Sequence, residues 1–436
     1  MNWPTVVLPL FLYSPDKIIR TVAHYFDEGH DVVEGRIGGL YRTYFFRNPH
    51  HIRAIYSHPE LGVKKPDFFL LWAKWLMGDG LFNDFGGVDW ARKRKLMGGL
   101  FFNNTCSHAY LQFVIGAASD FIARLKDKRQ YSISLHHEME RLVYDSSFRL
   151  IFGQSAGSDL EDIVRISAQA ESLFSTMVPI WIPTRYSMKF KRDGRRLKEI
   201  FKEAIKKAKK NPIDGSVVAG LIASGITDQE LLDEVFSVHF GVSAVATTMT
   251  WTLFQIASMP HIQNSVKVAL EDSQHDYFQA VLDECMRIIP AFFGSIRYAD
   301  NDIEIDGLKF KKKSTFMPLR YFAQKHEKFW KNPEEFDPSR FLGEHKKEIP
   351  AGAFIPFGSG PRKCLGVKLA PELVKYFTSA LLREFYFETS KKVADFEFRY
   401  GVFPKTEIIL TYQPNRSMYD QKFNRECSRP TQTQQS

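Results

Sequence analysis

The stretch Phe357-Gly-Ser-Gly360-Pro-Arg362-Lys-Cys364-Leu-Gly366 constrains this 436-residue chain more than any other. Gly358, Gly360 and Gly366 free the backbone from side-chain sterics, so the loop can turn sharply and lie close to a flat partner. Arg362 puts a cation two residues from the Cys364 sulfur, and a helix opening near Gly366 would add free amides and the positive end of its dipole. Each of these favours thiolate over thiol. A buried structural cysteine would need neither the arginine, nor the phenylalanine, nor three glycines in this order, so the loop reads as a ligand site.

The same residues match F-x-x-G-x-R-x-C-x-G, the haem-binding signature of the cytochrome P450 superfamily, which the chain resembles from about residue 30 to about 412. The resemblance implies a mainly α fold with small β-sheets and a soluble, bacterial-type protein. It implies haem b as cofactor, with Cys364 as the iron ligand and Phe357, Gly358 and Gly366 against the ring. Glu284-Cys-Met-Arg287 is similar to the family's E-x-x-R. On a helix these two side chains share a face and can form a bidentate, charge-assisted pair. Arg340, in Phe336-Asp-Pro-Ser-Arg340-Phe341, would join that network and brace the loop before Cys364.

Trp90-Ala-Arg-Lys-Arg94 resembles the family's W-x-x-x-R, whose indole N–H and guanidinium hold a haem propionate. Taken without its neighbours, it is a surface helix with a basic face. Arg297, ten residues beyond Arg287, falls where the family carries another propionate arginine, and Arg362 would be a third.

Composition agrees with one large domain over residues 1–413, followed by a polar tail, 414–436, expected to be disordered. No repeat, linker or composition break divides the chain before that tail. Hydrophobic residues make up 44% and there are 38 phenylalanines, enough for a sizeable core and an aromatic-lined pocket besides. The four cysteines, at 106, 285, 364 and 427, are widely spaced and suggest neither a disulfide framework nor a zinc site, so a cytoplasmic, reducing location is expected. The apolar run from Val6 to Tyr13 is far too short to span a bilayer, and no transmembrane anchor is expected.

The net charge of +9 invites a nucleic-acid reading, but no recognised module accompanies it. Basic residues cluster at Arg92 to Lys95, Lys189 to Lys210, Lys309 to Lys313 and Arg362 to Lys368. The first and last flank the haem-binding elements, where the family docks an acidic electron donor; a solvated helix face is the alternative for any one lysine. By resemblance the partners are a ferredoxin or flavodoxin with its NAD(P)H reductase.

Between Leu197 and Ala208 the apolar residues fall on one helical face, which reads as core packing. Val32–Ile37 and Tyr41–Phe46, separated by Gly38-Gly39, read as a hairpin, and a second strand pair is expected at Ile303 to Phe310 around Asp306-Gly307. Pro371 falls where the helix after Cys364 should be established, so that helix starts late or kinks.

The helix expected to cross above the haem opens with Thr227-Asp-Gln-Glu230 as a capping box and runs toward Pro260. Most members of the family carry A/G-G-x-D/E-T in its middle, an acid and an alcohol that deliver protons to the dioxygen being split. Here the segment reads Phe240-Gly-Val-Ser-Ala-Val-Ala-Thr-Thr-Met-Thr-Trp251. One register puts Thr247-Thr248 on the family's threonines, with Ala244 at its glycine and Ala246 at its acid. The preferred register puts Gly241 on the glycine, Ser243 on the acid and Ala244 on the threonine, which preserves the spacing to Trp251 and to the helix-ending proline. Either way the acid is missing, and in the preferred register the threonine is missing too.

Pocket candidates follow from family topology: Phe68, Phe69, Trp72, Trp75 and Leu76 before the Trp90 helix, Phe240 and Ala244 on the distal helix, and Phe292, Phe293 and Ile296 after Arg287. Together they imply a small to moderately sized apolar substrate such as a terpenoid, polyketide or acyl chain. The function expected is monooxygenation with dioxygen and external electrons. The alternatives are a redox-partner-independent isomerase, dehydratase or peroxygenase on the same fold, and a non-catalytic scaffold.

Overall fold

The computed structural model describes residues 3–8, 14–37, 41–66, 71–104, 108–127, 131–174, 183–272 and 275–415. Its centre is a helix of 31 residues, Asp228–Ser258. The segment contains no proline and a single glycine, Gly241, so nothing in it interrupts the hydrogen-bond ladder. Thr227 caps its start, the side chain accepting from the Glu230 N–H at 3.2 Å. The second half of the expected capping box gives way to an ion pair, because the Glu230 carboxylate turns to Arg92. Pro260 opens the next helix, Pro260–Glu271, rather than continuing this one. The long helix is apolar on most of its circumference and is enclosed by the helices Leu135–Phe152, Arg185–Lys210, His275–Ile288 and Leu369–Glu384.

A five-stranded sheet lies to one side, in the order Thr5–Leu8, Val32–Ile37, Tyr41–Phe46, Ser314–Pro318, Arg297–Ala299. The expected hairpin is present, Val32 pairing with Phe46 and Ile37 with Tyr41, while Gly38 and Gly39 lie outside the described residues. The second strand pair is Ile303–Ile305 with Leu308–Phe310, and the positive φ angles of Asp306 (48°) and Gly307 (79°) make the tight turn between them. A three-stranded sheet joins Ser132–Ser134, Ile409–Pro414 and Phe385–Glu388, and a two-stranded one joins Phe396–Phe398 and Val402–Pro404.

Three expectations need adjusting. The last strand runs through Pro414, and the Asn415 amide donates to the Leu382 and Arg383 carbonyls, so ordered chain extends past residue 413; residues 416–436 lie outside the described residues. No α-helix opens at Gly366. Cys364 caps a three-residue 3-10 turn, Leu365–Val367, and the α-helix begins only at Leu369, which places Pro371 in its first turn, where its missing N–H has no intrahelical partner to lose.

The basic cluster Arg92 to Lys95 is largely consumed internally. Arg92 pairs with Asp89 at 2.8 Å and with Glu230, and Lys93 is buried with Asp89 and Asp84 at 2.6 and 3.4 Å. Leu197, Ile200, Phe201, Ala204, Ile205 and Ala208 are all buried, as core packing requires.

Candidate active site

Glu284 and Arg287 lie one turn apart on helix His275–Ile288, both side chains fully buried. Every N–H of the Arg287 guanidinium is used. Nε and one Nη donate to the two Glu284 oxygens at 2.6 and 2.8 Å, and the remaining hydrogens go to the carbonyls of Gln324, Pro333 and Glu335 at 3.0, 2.7 and 3.0 Å. The Trp330 ring closes one face at 5.0 Å. The Arg340 Nε stands 3.5 Å from a Glu284 oxygen, and the Asp337 N–H donates to the same oxygen at 2.8 Å. Burial raises the Glu284 carboxyl, and the Arg287 pairing opposes it. One buried carboxylate and one guanidinium thus tie down residues 324–340, the chain that leads into the cysteine loop.

That loop is held by its own backbone. The Cys364 N–H donates to the Phe357 carbonyl at 3.0 Å, Gly358 to Ile355 at 3.0 Å, and Lys363 to Gly360 at 3.0 Å. Gly358 and Gly360 have φ of 68° and 71°, where a side chain would be strained. At Gly360 a Cβ would also stand 2.1 Å from the Tyr56 carbonyl oxygen, which explains the glycine without reference to any ligand.

Cys364 is an exposed residue, yet enough protein surrounds its thiol for desolvation to raise it. Three features oppose that rise: the Gly366 N–H donating to Sγ at 3.3 Å, and the charges of Arg94 and Arg320. The dipole contribution at the sulfur therefore comes from one short turn rather than from a full helix.

Cations gather around this loop without carboxylate partners. Arg297 is 4% exposed, and among the described residues its Nε has no hydrogen-bond partner and its donation goes to the carbonyl of Ile296 at 2.8 Å. Its guanidinium lies over the Tyr56 ring at 5.0 Å, and burial lowers its pKa. Arg362 lies over the Trp90 ring at 4.6 Å and donates to the carbonyls of Val63 and Asp84; burial and the charge of Arg297 push it down to about 9. Lys65 is pushed well down by burial and by Arg362 and Arg297. Arg94 turns inward to the Lys363 carbonyl, and Arg320 donates to the Pro356 carbonyl at 2.6 Å with its Nε unpartnered. Among the described residues, none of these five forms an ion pair with a carboxylate.

The family description "Cytochrome P450" matches residues 2–411. The chain belongs to the cytochrome P450 family. Among curated relatives it is similar to cytochrome P450 3A11 of Mus musculus, 28% identical over 181 residues that make up 38% of this chain and 36% of the relative. It is similar to cytochrome P450 3A27 of Oncorhynchus mykiss, 28% identical over 44% of this chain and 40% of the relative. It is also similar to cytochrome P450 4V2 of Homo sapiens, 28% identical over 38% and 35%. These matches thus span less than half the length of the relatives. Members of the family bind haem through a cysteine thiolate on the iron.

The residues present in this P450 fit that group. A mutually repelling set of buried or half-buried cations, two with unpartnered Nε atoms, is unfavourable as it stands and suits a ligand bearing two carboxylates. Trp90 stacks beneath Arg362 and fixes its guanidinium.

On the long helix, Gly241 is exposed and Ala244 and Thr248 are half-buried, a stripe at helical spacing; a Cβ at Gly241 would meet nothing within 4 Å. Ser243 and Thr247 are buried on the other side. The Thr247 hydroxyl donates to the Ser243 carbonyl at 3.2 Å and that of Thr248 to Ala244 at 2.7 Å, so both alcohols are engaged by the helix itself.

The pocket candidates divide. Phe68 and Phe69 lie outside the described residues, and the Trp72 side chain is not among those described. Trp75 packs on Phe190 at 5.4 Å beneath the Lys198 ammonium, and Leu76 is core. Phe240 is buried against Phe236 and His239, and Phe293 against Phe398. Phe292 and Ile296 are half-buried, and Phe292 meets the ring of Tyr400 at 5.2 Å. Tyr400, which the sequence did not single out, reaches across to the Ser243 hydroxyl from the turn between Phe396–Phe398 and Val402–Pro404. Arg320 and Lys65 were missed as well, since neither stands in a recognisable spacing with the cysteine. Among the described residues no helix is long and apolar enough to cross a membrane.

Proposed function

We propose that this chain is a haem-thiolate monooxygenase that inserts one atom of dioxygen into a moderately sized apolar substrate, with electrons from a ferredoxin or flavodoxin and its NAD(P)H reductase. The observation that carries the reading is the junction of the Cys364 loop with the unpaired cations Lys65, Arg94, Arg297, Arg320 and Arg362. Cys364 would ligate the iron, and Arg94, Arg297 and Arg362 would hold the propionates, with Trp90 supporting Arg362 from below. When bound, the haem supplies oxygen activation and transfer.

The protein supplies the rest. The Gly366 N–H and the Arg94 and Arg320 charges stabilise the sulfur as thiolate. Glu284, Arg287 and Arg340 hold the approach to the loop rigid. Phe292, Ile296, Ala244 and Thr248 are half-buried and Gly241 is exposed, a set with few polar anchors, which suits a terpenoid, polyketide or acyl chain. The preferred register, with Ala244 at the threonine position, is supported by Ala244 standing on the open stripe while Thr247 is buried. A free thiol exposed at Cys364 suits a reducing compartment such as the cytoplasm.

A second reading rests on one observation. With alanine at 244 and serine at 243, the helix presents no acid–alcohol pair of its own, which also suits a redox-partner-independent isomerase, dehydratase or peroxygenase. Turnover of a host metabolite extract under isotopically labelled dioxygen, with NADPH, ferredoxin and its reductase and a control without reductant, separates the two. One labelled oxygen in a product that requires reductant supports the monooxygenase. Unlabelled product formed without reductant overturns it in favour of the second class, and purified protein that takes up no haem leaves only a scaffold.

A further inference from the structure

The long helix lacks its own acid, but a carboxyl reaches it from elsewhere. Glu171, on helix Leu160–Phe174, is 2% exposed. It accepts from the Tyr144 hydroxyl at 3.0 Å and is hydrogen-bonded to the hydroxyls of Ser243 and Tyr400. Ser243 and Tyr400 also bond to each other, and the Ser243 hydroxyl has a second acceptor in the Phe240 carbonyl at 3.1 Å. Four separate segments meet at this point: helix Leu135–Phe152, which carries Tyr144, helix Leu160–Phe174, the long helix, and the turn that carries Tyr400.

The surroundings bias the carboxyl toward holding a proton. Burial pushes Glu171 up to about 7, against the hydrogen bonds from Tyr144 and Ser243, the charge of Arg399 and the bond from Tyr400. Glu140, also buried, is raised well above its ordinary value by burial and by Glu171. Two acids placed so close in a dry interior do not both ionise. His136 stands 3.6 Å from Glu140, and its imidazole is held neutral by burial and by Arg399, with a pKa of about 4. His239 stacks on Tyr144 and is neutral for the same reason of burial. Among the described residues the cation acting on the pair is Arg399, half-buried and bonded to Glu397 at 2.6 Å.

A purely structural role would be served better by a glutamine or an apolar residue, since hydroxyl contacts do not repay the burial of a charge. A buried acid poised near neutrality and hydrogen-bonded to hydroxyls of the long helix and of Tyr400 suits proton transfer. Tyr400 provides the exit, because its ring lies half-buried against Phe292.

We propose that Glu171, acting through Ser243 and Tyr400, is the proton-relay acid for oxygen activation, supplying from a neighbouring helix the carboxyl that the long helix does not carry; this rests on the monooxygenase reading. Each turnover takes up dioxygen, two electrons from the redox partner and two protons. One oxygen atom enters the substrate and the other leaves as water. A proton handed on from Ser243 or Tyr400 is replaced from Glu171, and Glu171 is recharged from the solvent side past Glu140 and Arg399. Glu171 does not touch the reacting atoms, so it is a positioning residue.

The test uses reconstituted holoenzyme in wild-type, Glu171→Gln, Glu171→Asp and Ser243→Ala forms. Infrared difference spectra across pH should show a carboxylic-acid C=O stretch that titrates near neutrality and is absent from E171Q. With NADPH, ferredoxin and its reductase and no added substrate, consumed dioxygen divides between hydrogen peroxide, two electrons and two protons each, and water, four of each per dioxygen. The wild type should release water above all. E171Q and S243A should shift the ratio toward peroxide by roughly 10- to 100-fold and lose the wild type's decline above neutral pH, with E171D restoring part of both.

An infrared band that survives in E171Q, or a peroxide ratio and pH profile unchanged in both E171Q and S243A, overturns the relay. A wild type that consumes no dioxygen with reductant overturns the monooxygenase reading, and the relay with it. S243A keeps the test decisive should E171Q fail to fold, because it cuts the path without altering the buried acid.

Discussion

Replacing Arg297 by methionine should have opposite effects on the protein with and without its cofactor. The arginine is 4% exposed, its Nε is unpartnered, and Arg320, Arg362 and Lys65 repel it. An unpaired buried cation costs several kcal/mol, of which the Tyr56 ring at 5.0 Å recovers about 1–2 kcal/mol. Methionine fills much of the same space without the charge, so the haem-free protein should gain about 2 kcal/mol in urea unfolding. With haem bound, the same change removes a charge-assisted contact to a propionate, worth about 2–4 kcal/mol, or roughly 30- to 1,000-fold in cofactor affinity. Haem transfer to an excess of a scavenging protein measures the second effect. A variant less stable than wild type without haem, or one that retains haem as tightly, refutes the cradle.

Other changes probe the frame and the relay. Arg287→Lys leaves three donors for the five acceptors around the guanidinium, so at least two of these oxygens lose a donor, and unfolding should show a loss of about 3–4 kcal/mol. Gly360→Ala puts a Cβ 2.1 Å from the Tyr56 oxygen at a φ of 71° and should cost more than about 2 kcal/mol, with haem content of purified protein falling in step. The folded-state pKa of Glu171 is raised from 4.5 to about 7, so the stability it contributes is fully present below the unfolded value and is lost as pH climbs toward 7. The melting temperature of E171Q relative to wild type should therefore rise between pH 5 and pH 8; a constant difference would place the proton elsewhere.

Local signals in the sequence carried what local geometry decides. The Glu284–Arg287 pair needs only helical spacing, the hairpin at Val32–Phe46 only alternation and a turn, and the Cys364 loop only its glycines. What escaped depends on contacts between distant segments. Glu171 lies 72 residues before Ser243 on an ordinary amphipathic helix, and Tyr400 comes 157 residues after it. Arg92 and Lys93 read as a solvated basic face until folding sets Asp84 and Glu230 beside them. The 3-10 turn after Cys364 was half visible in Pro371, which belongs in a first helical turn and so forces the helix to begin at Leu369.

The central claim is that Cys364 holds the haem iron as a thiolate. X-ray absorption at the iron edge of reconstituted wild type and Cys364→Ser tests it most directly, because sulfur and oxygen or nitrogen neighbours scatter differently. The other described cysteine, Cys285, is buried in helix His275–Ile288 with its thiol pushed up by burial, so it offers no substitute. The account predicts one sulfur in the iron's first shell of the wild type and none in the variant. A sulfur that persists after substitution, or a wild type with none, would contradict it.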